Sequence, residues 1–237
     1  MSTQIARELA DSAIEREVDQ FLRQSNIRPA KQFDIASIHV PESQVTEKTV
    51  RYVHDSVEPA IFNHSNRVYY LGAALVQDYL PQWKFDEETY FLTSLFHDIG
   101  TASKLQLSSV LSFEFIGGIH AREMLMEFGA RQVQADEVAE AIFRHTDAKG
   151  GHTRHAGQII QMSTQLDVLG TNPRWFNSNT VDQVVQKYPR LGFNHVFADQ
   201  MRQEVAEKPG CLMCTRDSQA FIHQVENNPV MARYDNN

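Results

Sequence analysis

The chain has 237 residues, a net charge of −8 and ordinary apolar content, so it is long enough to fold around one large hydrophobic core. The acidic balance argues against a nucleic-acid partner, because no basic stripe is available to neutralise phosphates. Two cysteines are too few for a disulfide framework, and no apolar run approaches the length that spans a membrane. We therefore expect a soluble, cytoplasmic protein that binds neither nucleic acid nor membrane.

The first 40 residues are predicted to form an N-terminal helix and arm. Apolar residues at helical spacing in residues 1–25, among them Ile5, Leu9 and Leu22, predict an amphipathic helix. Residues 26–43 contain Pro29 and Pro41 and few apolar runs, which is typical of a linker or arm. The main domain is then expected over residues 41–237.

Helical periodicity dominates the rest of the chain, and patterns typical of strands are nearly absent. Asp86 and Asp136 are well suited to cap the helices that follow them. The fold class is therefore predicted to be all-α, a helical bundle. Its helices are expected over residues 46–56, 59–79, 87–97, 112–129, 136–146, 155–168, 178–188, 193–206 and again after 217, with a loop at 101–112.

Two histidines and two aspartates fall at inward positions of these helices. His64 lies on the apolar face of its helix, and His97 and Asp98 end a helix that is apolar nearly all round. Asp167 shares a face with one isoleucine and two hydroxyl residues. Taken singly, each has an ordinary interpretation, such as a buried histidine bonded to a carbonyl. Together they suit a borderline metal such as Zn²⁺, Fe or Mn, because a buried ionised aspartate is costly unless a cation pairs with it.

Two further residues are candidates for proton transfer. His145 lies on an apolar helix face with Val138 and Ile142. Glu114 lies among aromatic residues, either as a surface carboxylate between two buried rings or as a carboxylate of raised pKa at a pocket wall.

Five segments together resemble the fungal cyanamide hydratases, which are members of the HD-domain superfamily of metal-dependent hydrolases. The resemblance runs from about residue 41 to residue 215 and keeps the order of the segments. The segments are FNHSNRV at 62–68, LFHDIGT at 95–101, SFEFIGGI at 112–119, EVAEAIFRH at 137–145 and YPRL at 188–191.

The resemblance implies an all-helical HD domain that hydrates cyanamide to urea in the cytosol, commonly as a homodimer. It implies one Zn²⁺ per chain, held by His64, His97, Asp98 and Asp167, although ligand type alone would also allow Fe²⁺ or Mn²⁺. HD proteins with two metals usually carry a histidine where this chain has Glu114. One metal is therefore expected, and Glu114 is left free for acid–base work or substrate binding.

These residues and the resemblance together lead us to expect attack of a metal-bound hydroxide on the carbon of a small C≡N group. Glu114 and His145 are the candidates for proton transfer, and Asp98 acts as both a ligand and a catalytic residue. Asn63 is a candidate for both catalysis and substrate binding, because it would orient the substrate or the water. The other candidates for substrate binding are Thr101 and the water-excluding rings of Phe96, Phe113 and Phe115.

Two departures from the family pattern bear on the substrate. The family usually has Asn where this chain has Val168, and a Lys-Pro-Trp followed by His-Thr where this chain has KPGCLMCT at 208–215. The pair Cys211 and Cys214 in that segment is either two small apolar residues of a loop or a metal or redox pair. The alternative functions are a phosphohydrolase acting on a nucleotide or other phosphoester and a non-catalytic metal-binding protein.

Overall fold

The computed structural model describes residues 13–15, 28–147 and 151–235, and within these ranges the chain is an assembly of ten α-helices. None of these helices is both long and apolar enough to cross a membrane. The all-α prediction is confirmed. The helices are α1 (Gln44–Ser56), α2 (Pro59–Tyr79), α3 (Glu87–Phe96), α4 (Ser103–Gln106), α5 (Phe113–Phe128), α6 (Gln132–Arg144), α7 (His155–Leu169), α8 (Ser178–Lys187), α9 (Phe193–Glu207) and α10 (Ser218–Glu226).

Helix α3 lies at the centre of the bundle. The Asp86 carboxylate caps it by accepting hydrogen bonds from the backbone N–H groups of Glu88 and Thr89. Every residue from Thr89 to Phe96 is buried, and α1, α2, α6 and α7 all pack around the helix. The end of α3 is therefore inside the protein, and so are His97 and Asp98, which follow it.

Helices α2 and α7 pack against each other beside α3. Helix α2 begins with Pro59. Proline has no backbone N–H, and this costs nothing here because the N–H groups in the first turn of a helix have no acceptor within the helix. The predicted inward face of α2, which includes His64 and Leu71, is buried, as is the face of α7 that carries Thr164 and Asp167. His64 of α2 and Asp167 of α7 therefore both point towards the end of α3.

The sequence prediction was wrong at the start of α6 and in the loop at 101–112. Helix α6 begins at Gln132 with Arg131 at its N-cap, so Asp136 lies inside the helix and does not cap it. The Asp136 carboxylate instead forms an ion pair with Arg122 of α5. The loop contains the short helix α4.

A short antiparallel pair of strands replaces part of the predicted N-terminal helix. Strand β1 (Ala13–Glu15) pairs with strand β2 (His152–Arg154), with Ile14 opposite Thr153. The helix prediction is therefore wrong for residues 13–15, and the rest of residues 1–27 lies outside the described residues.

The part of the arm that the structure describes, residues 28–43, lies along α8. It has no regular structure apart from a 3-10 turn at Ile35–Ser37. The Phe33 N–H donates to the Thr180 hydroxyl at 2.9 Å, and the Asn177 side chain, next to α8, donates to the Ala30 carbonyl at 3.0 Å. The boundary at residue 40 stays a prediction, because nothing in these contacts divides the chain there.

A glycine brings the N-terminus of α5 into contact with the turn that follows Asp98. A Cβ atom at Gly100 would lie 2.0 Å from the backbone carbonyl oxygen of Phe113, and backbone cannot move aside cheaply. We expect Gly100→Ala to lower the free energy of unfolding by about 3 kcal/mol, the upper end of the range for overpacking. Urea denaturation measures this change.

Gly157→Ala is the matched control for that substitution. Its Cβ would meet the Thr153 hydroxyl at 2.7 Å, and a side-chain rotation can move this atom. We therefore expect a clearly smaller loss of stability. Equal urea midpoints for Gly100→Ala and the natural protein would contradict the close approach described above.

Candidate metal centre

Two histidine rings from different elements face each other beside α3. The Nε2 atom of His64 lies 3.0 Å from the Nε2 atom of His97. The Nδ1 atom of His97 bonds the Ser94 carbonyl at 2.8 Å, and the Nδ1 atom of His64 bonds the Asp167 carboxylate at 2.6 Å. Because each Nδ1 donates its proton to an acceptor, the neutral form of each ring would have its free lone pair on Nε2.

Asp98 brings a carboxylate to the same point. Its Oδ2 atom lies 3.2 Å from Nε2 of His97 and 3.5 Å from Nε2 of His64. The three residues are buried, and their ligand atoms all lie within 4.8 Å of one another. The structure therefore brings together three of the four predicted ligands, His64, His97 and Asp98.

His145, at the end of α6, supplies a third imidazole. Its Nδ1 atom bonds the Ile142 carbonyl at 2.7 Å, and its Nε2 atom lies 3.6 Å from Oδ1 of Asp98. This Oδ1 atom is buried and has no hydrogen-bond partner among the described residues. The three rings thus direct their Nε2 atoms at one carboxylate.

The protonation states of these groups fit a divalent cation. Burial lowers the pKa of His64 to about 4 against the opposing effect of Asp167, so the ring is neutral at pH 7. Burial alone would raise the pKa of Asp98, but the rings of His97, His145 and His64 hold it well below its usual range. Neutral imidazole and ionised carboxylate are the forms that bind metal, and nitrogen with oxygen ligands suits Zn²⁺, Fe²⁺ or Mn²⁺.

Asp167 lies behind His64 and is held by two buried arginines. Its Oδ1 and Oδ2 atoms accept hydrogen bonds from Arg67 at 2.8–3.2 Å, and its Oδ1 accepts another from Arg190 at 3.0 Å. Burial alone would raise the pKa of Asp167, but Arg67, Arg190 and His64 hold it well below its usual range. Its contact with Nδ1 of His64 is the arrangement by which a carboxylate orients a metal-binding histidine. The role of Asp167 as a direct ligand stays a prediction.

Glu114 is fully buried, so its interpretation as a surface carboxylate is wrong. The Thr146 hydroxyl donates to its Oε1 atom at 2.6 Å, and its Oε2 atom has no hydrogen-bond partner among the described residues. Burial raises the pKa of Glu114. Burial lowers the pKa of His145, but Asp98 and Glu114 outweigh this effect and leave it above its usual value. Two acidic groups therefore favour the protonated form of His145.

A small cavity of about 180 Å³ opens beside these side chains. Its wall includes His64, His97, Asp98 and His145. The rest of the lining comprises Thr146, Asp147, Gln161, Thr164, Gln165, Val168, Leu169, Phe197, Arg216 and Phe221. A larger cavity of about 610 Å³ lies elsewhere, between Trp83, Phe85 and the arm, and contains none of the clustered residues.

Several of these lining residues were not predicted from the sequence. Thr164 was correctly placed on the face of Asp167, and Gln161 precedes Thr164 by three residues, so the same helical spacing could have placed Gln161 there. Arg67, which binds Asp167 and does not line the cavity, follows His64 by three residues, so helical spacing could have placed it beside His64. Arg216 comes from the segment after α9 and carries no comparable signal.

The two polar residues predicted to bind substrate have backbone partners. The Asn63 side chain donates to the Pro189 carbonyl at 2.8 Å, which joins α2 to the turn before α9. The Thr101 hydroxyl donates to the Asp98 carbonyl at 2.8 Å, which closes the turn after α3. Neither residue lines the small cavity, so both are placed where they support the backbone around the cluster.

The three predicted water-excluding rings occupy different environments. Phe96 is fully buried in the core, and the Phe113 ring lies 5.8 Å from the His145 ring. Phe115 is 38% exposed and packs against Phe143, so it faces away from the core. None of the three lines the small cavity, and Phe115 is corrected to an outer position on α5. Phe197 and Phe221 provide the aromatic lining instead.

Comparison with known proteins agrees with this geometry. The HD domain model matches residues 61–173, the stretch that carries His64, His97, Asp98 and Asp167. Two proteins of Saccharomyces cerevisiae, cyanamide hydratase DDI2 and cyanamide hydratase DDI3, are each 35% identical to the chain over 176 residues, which is 73% of this chain and 78% of each relative. The chain therefore belongs to the HD-domain superfamily, and within it to the family of the cyanamide hydratases.

Membership of this family makes the chain a metal-dependent enzyme of the HD type. The family implies a divalent metal, and the cluster of His64, His97 and Asp98 is where the described residues can hold it.

Proposed function

We propose that this protein hydrates a small nitrile-like substrate, most directly cyanamide to urea, with one Zn²⁺ per chain. The observation that carries the proposal is the meeting of His64, His97 and Asp98 on the wall of a small cavity. The identity of 35% to two cyanamide hydratases over most of the chain supports it.

The size of the cavity favours a very small substrate. At about 180 Å³ it is smaller than the roughly 300 Å³ at which pockets for drug-sized ligands begin. Cyanamide has only three non-hydrogen atoms. The apolar part of the lining, from Val168, Leu169, Phe197 and Phe221, would limit the water that enters with the substrate.

We propose that His64, His97 and Asp98 hold the cation and that Asp167 keeps the His64 ring in position through Nδ1. Arg67 and Arg190 would in turn fix the Asp167 carboxylate. The cation, when bound, supplies the Lewis-acid chemistry that activates water near neutral pH.

Hydration adds the oxygen of water to the nitrile carbon, and both protons of that water end on the nitrile nitrogen. One proton is delivered as the C–O bond forms, and the other moves from the new hydroxyl to the nitrogen when the product becomes urea. We assign the delivery of the proton to His145, because its ring lines the cavity and its pKa is raised. Glu114 would receive and return protons as its buried partner. Both residues have pKa values that are raised above the usual value, which suits groups that exchange protons near neutral pH.

One observation favours the alternative of a phosphohydrolase. Arg216 lines the cavity, with its guanidinium over the Phe221 ring at 5.5 Å, and an arginine at this place could meet a phosphate. The small cavity and the family relatives weigh against this alternative.

A panel of substrates on the purified protein tests the proposal. We expect urea to form from cyanamide and no phosphate to be released from nucleoside monophosphates. His64→Ala should abolish the urea signal, whereas His54→Ala, which removes an exposed histidine of α1, should leave it unchanged. Phosphate release without urea formation would contradict the proposed hydratase function and support the phosphohydrolase function instead.

The hydrogen bond from Thr146 to Glu114 provides a test of the proton-transfer residues. Thr146→Val removes a donor that favours the ionised form of Glu114, so the pKa of Glu114 rises further. Because the proposal takes ionised Glu114 as the active form, a higher pKa of Glu114 should move the acidic limb of the kcat/KM profile for cyanamide to higher pH. Thr146→Ser keeps the hydroxyl and should keep the limb in place. An unmoved limb in Thr146→Val would exclude this role for Glu114.

A further inference from the structure

The two cysteines of the chain lie side by side in the turn after α9. The Sγ atoms of Cys211 and Cys214 are 3.6 Å apart, and the Cys214 N–H donates to the Cys211 carbonyl at 2.9 Å. This 3-10 turn places both side chains on one side of the backbone. A disulfide requires an S–S distance of about 2.05 Å, so a shift of about 1.5 Å would join the two sulfurs.

The two thiols differ in their exposure. Cys214 is exposed, whereas Cys211 is buried with only 5% of its surface accessible. Burial raises the pKa of the Cys211 thiol to about 11, so it stays protonated. An oxidant in solution would therefore meet Cys214 first, and Cys211 stands where a resolving thiol is needed.

The turn is joined to the wall of the small cavity. Met213, between the two cysteines, is buried, and the Leu212 N–H donates to the Ser112 hydroxyl at 2.6 Å, just before α5. Two residues after Cys214, Arg216 lines the cavity and donates to the Thr146 carbonyl. A change in the conformation of the turn would therefore move the partner of Thr146, whose hydroxyl donates a hydrogen bond to Glu114.

We propose that Cys211 and Cys214 are a reversible oxidation site and that closing their disulfide displaces Arg216 at the cavity wall. The oxidant is a peroxide. In the first step the Cys214 thiol is oxidised to a sulfenic acid, and hydrogen peroxide is reduced to water. In the second step the Cys211 sulfur attacks the Cys214 sulfur, the S–S bond forms as the S–O bond breaks, and the sulfenic hydroxyl takes up the Cys211 thiol proton and leaves as a second water. A dithiol reductant restores both thiols.

Thiol counting and intact-mass measurement on the full-length protein test the oxidation site. After treatment with hydrogen peroxide we expect both thiols to disappear together, with a mass loss of two hydrogen atoms per chain that dithiothreitol reverses. Cys211→Ser should stop at a sulfenic acid on Cys214 that dimedone traps, and Cys214→Ser should leave Cys211 reduced. Two thiols that stay reactive, or a disulfide between two chains, would overturn the proposal.

The link to the cavity has its own measurement, which rests on the proposed hydration of cyanamide. The oxidised protein should show a severalfold change in KM for cyanamide, whereas peroxide-treated Cys211→Ser and Cys214→Ser should match their untreated forms. Equal KM values for the oxidised and reduced natural protein would overturn the link to Arg216. The thiol count does not depend on the substrate, so failure of the hydratase assignment and failure of the oxidation site give different results.

Discussion

Asp98→Ala should yield a folded protein that binds almost no metal and forms almost no urea from cyanamide. Asp98 is the carboxylate at which the Nε2 atoms of His64, His97 and His145 meet. Its removal takes away the negative charge that would pair with the cation and leaves three imidazoles without their common partner. We expect the loss of activity to exceed the roughly 10–100-fold effect of changing an outer partner of a metal ligand.

Elemental analysis and the urea assay measure this result, and the chain offers a matched control. His54 and Asp55 form a second His-Asp pair, on the surface of α1, where the Asp55 side chain is 78% exposed. Asp55→Ala should therefore keep the full metal content and activity. An Asp98→Ala protein with full metal content and full activity would exclude the cluster as the catalytic centre.

Arg190→Met should cost about 3–5 kcal/mol of the free energy of unfolding, the range for breaking a buried ion pair from one side. Arg190 is fully buried and donates to the carboxylates of Asp167 and Asp235 and to the Asn194 side chain. Methionine fills a similar volume but leaves these acceptors without their donor. Asp167 would keep Arg67, whereas Asp235 would lose its buried ion pair.

Urea denaturation measures the effect of Arg190→Met, with Arg202→Met as the control. Arg202 forms ion pairs with Asp199 and Glu226 at the surface, where solvent screens the charges, so its replacement should change the midpoint little. Similar midpoints for the two variants would show that the buried network around Asp167 does not hold this part of the fold.

Helical spacing correctly predicted several inward positions. The inward positions of His64, His145 and Asp167 follow from a period of 3.6 residues, and the burial of His97 and Asp98 follows from the apolar character of α3. Partners that are distant in the sequence were not predicted. Periodicity places Asp167 on an inner face, but it does not reveal that arginines from two other elements meet it there.

Local signals failed where a tertiary contact competed with them. Asp136 has the side chain of an N-cap, yet α6 begins at Gln132 and Asp136 pairs with Arg122 of the neighbouring helix. Strand β1 has only three residues, too few to show an alternating pattern. Phe115 was assigned to the substrate pocket together with Phe96 and Phe113, but residues two positions apart in a helix point in different directions. The homodimer and the cytoplasmic location stay predictions.

The metal content of the purified protein, measured together with urea formation, tests the central claim most directly. We predict one Zn²⁺ per chain, loss of urea formation when a chelator removes the metal, and recovery when Zn²⁺ is added back. Undiminished hydration of cyanamide by the metal-free chain would contradict the assignment of His64, His97 and Asp98 as the centre of catalysis.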